Sequence, residues 1–183
     1  QACQRLLGNE NVVAIIGPSL TGTSLVIAPA CESAEMPLVS CGAGVRIVTP
    51  VRPYVFKTAQ SDSLTAERLV DYAKAHSIKR VGFMNDSNAF GQNGREEWLR
   101  AAKTAGVETV VLESFVTSDT DMTTQLTNIR AANPDAVVCW GTNPGPAIVA
   151  RDMRRLGMKQ PLLMSHGIAN MEFIKLAGSA AEG

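Results

Sequence analysis

The stretch Arg80-Val81-Gly82-Phe83-Met84-Asn85-Asp86-Ser87-Asn88, continued through Gly106 to Val116, decides the fold class. A short apolar run over 80–84 ends in four polar residues. A helical pattern over 91–105 follows and stops at Gly106, a residue suited to closing a helix. A second apolar run then occupies 108–116. Strand, helix and strand within one segment of this length is the unit of a parallel sheet.

The same rhythm extends in both directions. Downstream, a helix is expected over 121–132, ended by Asn133-Pro134, then a strand over 136–139. A helix over 144–156 stops at Gly157; a strand over 161–164 and a short helix over 170–177 close the series. Upstream, a helix is expected over 63–75 with Leu64, Leu69, Val70 and Ala73 on one face. Strands are expected at Met36–Ser40 and Tyr54–Thr58. Val12-Val13-Ala14-Ile15-Ile16 reads as a strand buried on both faces, ended by Gly17-Pro18. Between them a helix over 22–34 has Thr21 or Thr23 as its N-cap, and Pro29 predicts a kink or a short start. The fold class is therefore α/β, parallel sheets with helices on both faces.

Composition limits what such a chain does. Its 183 residues carry 17 Lys+Arg and 17 Asp+Glu, a formal net charge of zero, which argues against a nucleic-acid partner and against electrostatic docking on a membrane. No apolar run approaches the roughly 20 residues of a membrane span, so no membrane insertion is expected. The chain opens on Gln1 without Met or a signal peptide and stops after a helical pattern, so both ends read as cut. Cys3, Cys31, Cys41 and Cys139 form no Cys-x-x-Cys pair and no cluster with His76 or His166. They are read as small buried hydrophobes rather than disulfide or metal partners, and no metal or cofactor is expected.

In parallel sheets, ligands bind at the carboxyl ends of the strands, so the loops there carry the function. Gly17-Pro18-Ser19-Leu20-Thr21-Gly22-Thr23-Ser24 places hydroxyls and glycine at a helix N-terminus, which suits an anion such as a carboxylate. The same hydroxyls also read as plain helix caps. The stretch has neither the lysine of a P-loop nor a dinucleotide spacing. Ser40-Cys41-Gly42-Ala43-Gly44 lets a ligand approach the backbone, with Arg46 beyond it as a second carboxylate partner or a solvated charge. Phe90 and Trp140, at strand ends, are ligand walls or core. His166 falls in the loop after the 161–164 strand, whereas His76 reads as a solvated helix-end residue. Asp62 and Asp86 are the nearest approach to paired carboxylates, and no nucleophile–base set accompanies them, so binding without catalysis is expected.

Several segments, taken in order, are similar to a known family: Ile15-Ile16-Gly17-Pro18-x-x-Thr21-Gly22, Met36-Pro37-Leu38-Val39-Ser40, Tyr54-Val55-Phe56-Lys57-Thr58, Asn85-Asp86-x-x-Ala89-Phe90-Gly91-x-x-Gly94, Asn133-Pro134-Asp135-Ala136-Val137 and Arg154-x-Leu156-Gly157-Met158. Together they resemble the periplasmic leucine/isoleucine/valine-binding family, the type I substrate-binding proteins of ATP-driven (ABC) importers, over essentially the whole chain. The resemblance implies a two-lobed clamshell with a hinge, a small-molecule ligand (an amino acid or another carboxylate) in the cleft, a membrane permease as partner and a periplasmic location. Residues 1–59 then resemble part of the N-terminal lobe and 60–183 most of the C-terminal lobe, with Ser61 and Asp62 near the first hinge strand.

Carried over by position, the resemblance assigns ligand contacts to Thr21, with Ser19 beside it, and to the backbone of Gly42 and Ala43. Gly44 replaces the family's usual Thr, Phe90 its usual Tyr and Thr142 a common Tyr. His166 falls where an acidic residue ordinarily meets the ligand's ammonium group. An imidazole cannot supply that charge-assisted bond, which is worth about 1.5–3 kcal/mol. The expected ligand therefore keeps a carboxylate and lacks an α-amino group, as aromatic and other small organic acids do. The alternatives are that the loop is offset by one residue and an ammonium meets another acceptor, or that the domain senses a ligand within a regulator or receptor of the same fold.

Overall fold

The computed structural model describes residues 1–182 and divides into two compact units, Gln1–Asp62 and Ser63–Gly183. In the first, α1 (Ala2–Leu7), β1 (Ile15–Ile16), α2 (Thr21–Ser33), β2 (Leu38–Ser40), a 3₁₀ turn at Val45–Ile47 and β3 (Val55–Lys57) build a three-stranded sheet of order β1-β2-β3. Both pairings are parallel, with Ile15 opposite Leu38 and Leu38 opposite Val55. Ile15, Ala28, Cys31, Leu38, Ile47 and Val55 form its core.

Three expectations are corrected here, the last of them for cysteines in both units. The first strand is two residues long, because its register with β2 begins only at Ile15, and it is not buried on both faces. Val13 is 82% and Ile16 81% exposed, since β1 lies at the sheet edge. Helix α2 starts at Thr21 and runs thirteen residues through Pro29, whose ring is exposed. Its N-cap is Leu20 rather than Thr21 or Thr23, and no side chain caps it. Only Cys31 and Cys139 are buried; Cys3 is half-buried and Cys41 exposed, because Cys41 leaves the sheet at the end of β2.

The second unit alternates without interruption. Helix α3 (Asp62–Ala75) leads to β4 (Arg80–Asp86), α4 (Ala89–Ala105), β5 (Glu108–Phe115), α5 (Thr123–Ala131), β6 (Ala136–Trp140), α6 (Gly145–Arg155), β7 (Leu162–Met164) and α7 (Met171–Ala177). The sheet order is β5-β4-β6-β7, all parallel. Strand order therefore reverses between β4 and β6, the position where open α/β sheets take ligands.

The two central strands, β4 and β6, are buried along almost their whole length. Met84, Val137 and Cys139 pack with Leu126 and Ile129 of α5 and Ile148, Val149 and Met153 of α6. α5 lies so close that a Cβ on Gly82 would stand 2.7 Å from Ile129 Cγ2. Phe83, next to Met84 along β4 and so on the other face, stacks on Trp98 of α4 at 5.8 Å, and Trp98 Nε1 donates to Thr109 Oγ1. Helix ends follow the chain chemistry: Asn88 Oδ1 accepts from Gly91 N, Asn170 Oδ1 from Phe173 N, and Gly106 closes α4 with φ of 71°.

At the start of α5, Asp121 Oδ1 accepts from Thr123 N, and α6 holds the residue before the helix: Asp152 Oδ2 accepts from the buried Met122 N at 2.8 Å. Asp152→Ala is expected to strand that donor and lower stability by about 1–3 kcal/mol, read as a shift of the urea midpoint at constant slope.

Candidate functional site

In the first unit the loops after β1 and β2 are stitched together. Thr21 Oγ1 accepts from Gly44 N at 3.2 Å, so Thr21, only 2% exposed, holds the second loop against the start of α2. Beneath it the hydroxyls of Ser24 and Ser40 share a 2.7 Å hydrogen bond, and Ser40 Oγ accepts from Gly42 N. Gly42 allows the close approach: a Cβ would stand 2.9 Å from Ile47 Cδ1 and 3.2 Å from Thr21 N, so a larger residue would push on both. Ala43 and Gly44 are buried beside it, whereas Ser19 and Arg46 are exposed. The carbonyl of Ala43 accepts from Asp62 N and from Lys57 Nζ, which also reaches Ala59 O at 2.7 Å. Burial pushes the Lys57 ammonium down from its ordinary range, and the nearby Asp62 carboxylate opposes that shift.

The first turn of a helix leaves its N–H groups without intrahelical partners. No side chain caps α2, and in its first turn Gly22 is half-buried and Thr23 exposed, beside the loop that carries Gly42. That arrangement suits an anion.

In the second unit the loops after β4, β6 and β7 converge on an aromatic cluster. Phe90 sits in the first turn of α4, Trp140 ends β6, and His166 opens a 3₁₀ turn after β7. The His166 ring meets Phe90 edge-on at 5.4 Å and Trp140 at 6.2 Å. Its Nδ1 lies 2.9 Å from Thr65 Oγ1 on α3. Gly167 fits because it has no side chain, since a Cβ there would stand 2.5 Å from Gly141 O and 2.9 Å from Phe90 Cε1. Trp140 is wholly buried and lies flat on Gly94, and Phe90 is 7% exposed, so both rings are packed into the unit as well as bordering His166. Thr142 is half-buried one residue beyond Gly141.

The two carboxylates singled out in the sequence belong to different units. Asp86, fully buried at the end of β4, accepts from Thr117 Oγ1 at 2.7 and 2.9 Å and from Asn88 N. His76 is exposed and stacks on Tyr72. Thr65 escaped the sequence reading, and the mutual hydrogen bond of Ser24 and Ser40 was not expected from it. The Thr65–His166 contact joins residues 101 positions apart, and nothing in either local sequence announces it. Among the described residues, no group of His, Cys, Asp and Glu is arranged to hold a metal. No described helix is long and apolar enough to cross a membrane.

A parallel α/β scaffold whose strand-end loops present hydroxyls, backbone N–H groups and aromatic rings defines a ligand-binding class of protein. The periplasmic binding protein family model matches residues 1–183, and the chain belongs to that family. It is 26% identical over 175 residues to the Leu/Ile/Val-binding protein BraC3 of Rhizobium johnstonii, covering 88% of this chain and 48% of that protein. Among solved structures it is similar to an extracellular ligand-binding receptor from Rhodopseudomonas palustris HaA2, at 32% identity and a TM-score of 0.94, covering 99% of this chain and 51% of the other. A leucine binding protein from Thermotoga maritima matches at 27% identity and a TM-score of 0.92, over 100% of this chain and 52% of that one. The chain thus spans about half the length of the curated relatives it matches.

Proposed function

We propose that this chain is part of the extracytoplasmic solute-binding component of an ABC importer, delivering a small carboxylate to a membrane permease without transforming it. In the first unit the carboxylate is assigned to the Thr21 hydroxyl, to the start of α2 and to the Gly42-Ala43-Gly44 backbone, where Ser40 and Thr21 hold the N–H groups of Gly42 and Gly44 and Ala43 N is the donor left for the ligand. In the second, Phe90, Thr142 and His166 are assigned to the rest of the ligand. Relatives named for leucine, isoleucine and valine support a ligand with a carboxylate.

The observation that carries the finer reading is His166. The resemblance assigns His166 to the place of the acidic residue that meets an ammonium group, and here that residue is an imidazole edge-on to Phe90 with Nδ1 against Thr65. A desolvated ammonium facing an imidazolium or an aromatic edge, without an anion, is disfavoured. The ligand class is therefore an organic acid lacking an α-amino group, with an aromatic acid suited to the Phe90 edge.

A thermal-shift panel on the full-length protein tests this. At 100 times its dissociation constant a ligand adds about 2.7 kcal/mol of stability. Aromatic or aliphatic carboxylates are expected to raise the midpoint while leucine, isoleucine and valine leave it in place. The opposite pattern would return the ligand to the branched-chain amino acids and reassign the His166 loop.

A further inference from the structure

Lys57 ends β3 directly beside Ser40, the last residue of β2. Neighbours in register lie on the same face of a sheet. Ser40 bonds to Ser24 of α2, so Lys57 stands on the α2 side as well. Half-buried there, it turns its ammonium to two carbonyls. One is Ala59 O at 2.7 Å, in the loop after β3; the other is Ala43 O at a longer 3.4 Å, in the loop after β2. The backbone N–H of Asp62 meets the same Ala43 oxygen at 3.3 Å.

Ala43 O and Gly44 N belong to one peptide group. Its oxygen faces Lys57 and Asp62 N, and its N–H donates to Thr21 Oγ1 at 3.2 Å. A cation on the carbonyl side of a peptide draws electron density toward the oxygen and makes the N–H on the other side a stronger donor. Hydrogen bonds in such a chain reinforce one another. A hydroxyl has one proton and two lone pairs. Gly44 N takes a lone pair of Thr21 Oγ1, so the Thr21 proton turns away from that bond, as a donor. We propose that Lys57 is a positioning residue of the carboxylate site: it fixes the Ala43-Gly44 peptide, Gly44 N fixes the rotor of the Thr21 hydroxyl, and the Thr21 proton is thereby aimed at the ligand's carboxylate.

This role rests on the assignment of Thr21 to the carboxylate made above. It is the same for an organic acid and for an amino acid, because both carry that group. Thr21, Ala43 N and the start of α2 are neutral donors, and Lys57 brings a positive charge to bear on one of them through a shared peptide.

The test uses the full-length protein labelled with nitrogen-15 glycine, and its Lys57→Met, Lys57→Arg and Thr21→Val variants together with the Thr21→Val/Lys57→Met double variant. Methionine keeps the length and loses the charge and the donors; arginine keeps both. The Gly44 amide, identified by its loss in Gly44→Ala, needs no ligand. Its proton resonance is expected to move upfield in Lys57→Met and to stay in place in Lys57→Arg. Affinity is read by calorimetry with benzoate and with L-leucine, two carboxylates that differ at the other end. Lys57→Met is expected to weaken whichever binds by about 10-fold, near the low end of a hydrogen bond to a charged group, and Lys57→Arg to keep most of that affinity. In the Thr21→Val background Lys57→Met is expected to cost nothing further, whereas a merely structural tie between the two loops would cost the same in both backgrounds. A Gly44 amide that does not respond to Lys57→Met, or equal losses with and without the Thr21 hydroxyl, would overturn the role of Lys57. Affinity unchanged in Thr21→Val, with the Gly44 shift still present in Lys57→Met, would instead overturn the assignment of Thr21 to the carboxylate.

Discussion

Gly91→Ala is expected to destabilise the second unit by about 3 kcal/mol or more, even though alanine is the better helix former by about 1 kcal/mol. Gly91 lies in the first turn of α4, where its N–H is held by Asn88 Oδ1. A Cβ added there would stand 1.9 Å from Asp86 O, 2.7 Å from Asp86 C and 2.9 Å from Asp86 N. All three are backbone atoms of a central strand, so no side-chain rotation relieves the clash. The helix itself must move, and the same helix carries Phe90 and lays Gly94 under the Trp140 ring, where a Cβ would come within 2.2 Å. The variant is therefore expected to unfold at a midpoint several degrees lower and to bind ligand more weakly, both measurable on the full-length protein. A midpoint unchanged or raised would mean that α4 has room to retreat from β4.

His166→Asp is expected to exchange one ligand class for another. The variant places a carboxylate where the imidazole now meets Phe90 and Thr65. A charge-assisted bond to an ammonium group contributes about 1.5–3 kcal/mol, and the same carboxylate repels or desolvates poorly beside a ligand that lacks one. Calorimetric titration is expected to show leucine-type amino acids gaining at least ~10-fold in affinity and simple organic acids losing a similar factor. Tight binding of leucine by the unaltered protein, with no gain in the variant, would sink the assignment of His166 to the ligand.

The alternation of strands and helices was legible because each parallel strand is a short apolar run and each helix has its own punctuation. Gly106 and Asn133-Pro134 stop α4 and α5 near where they were expected to stop. Edges were less legible. Val12–Ala14 has strand composition, yet a strand exists only where a partner accepts its hydrogen bonds, and β2 begins one register too late for those residues. Thr21 has the chemistry of a cap, but its hydroxyl is taken by Gly44 N, 23 residues away.

Local sequence thus determined the fold class, the order of elements and which loops lie at the carboxyl ends of strands, since periodicity and turn chemistry act over a few residues. Strand order, the reversal between β4 and β6, the meeting of Phe90, Trp140 and His166 and the hold of Thr65 on that ring were decided only by tertiary structure. Each depends on side chains far apart in the chain, brought together by burial of the sheet faces and close approach at Gly91, Gly94 and Gly167, where any Cβ would collide.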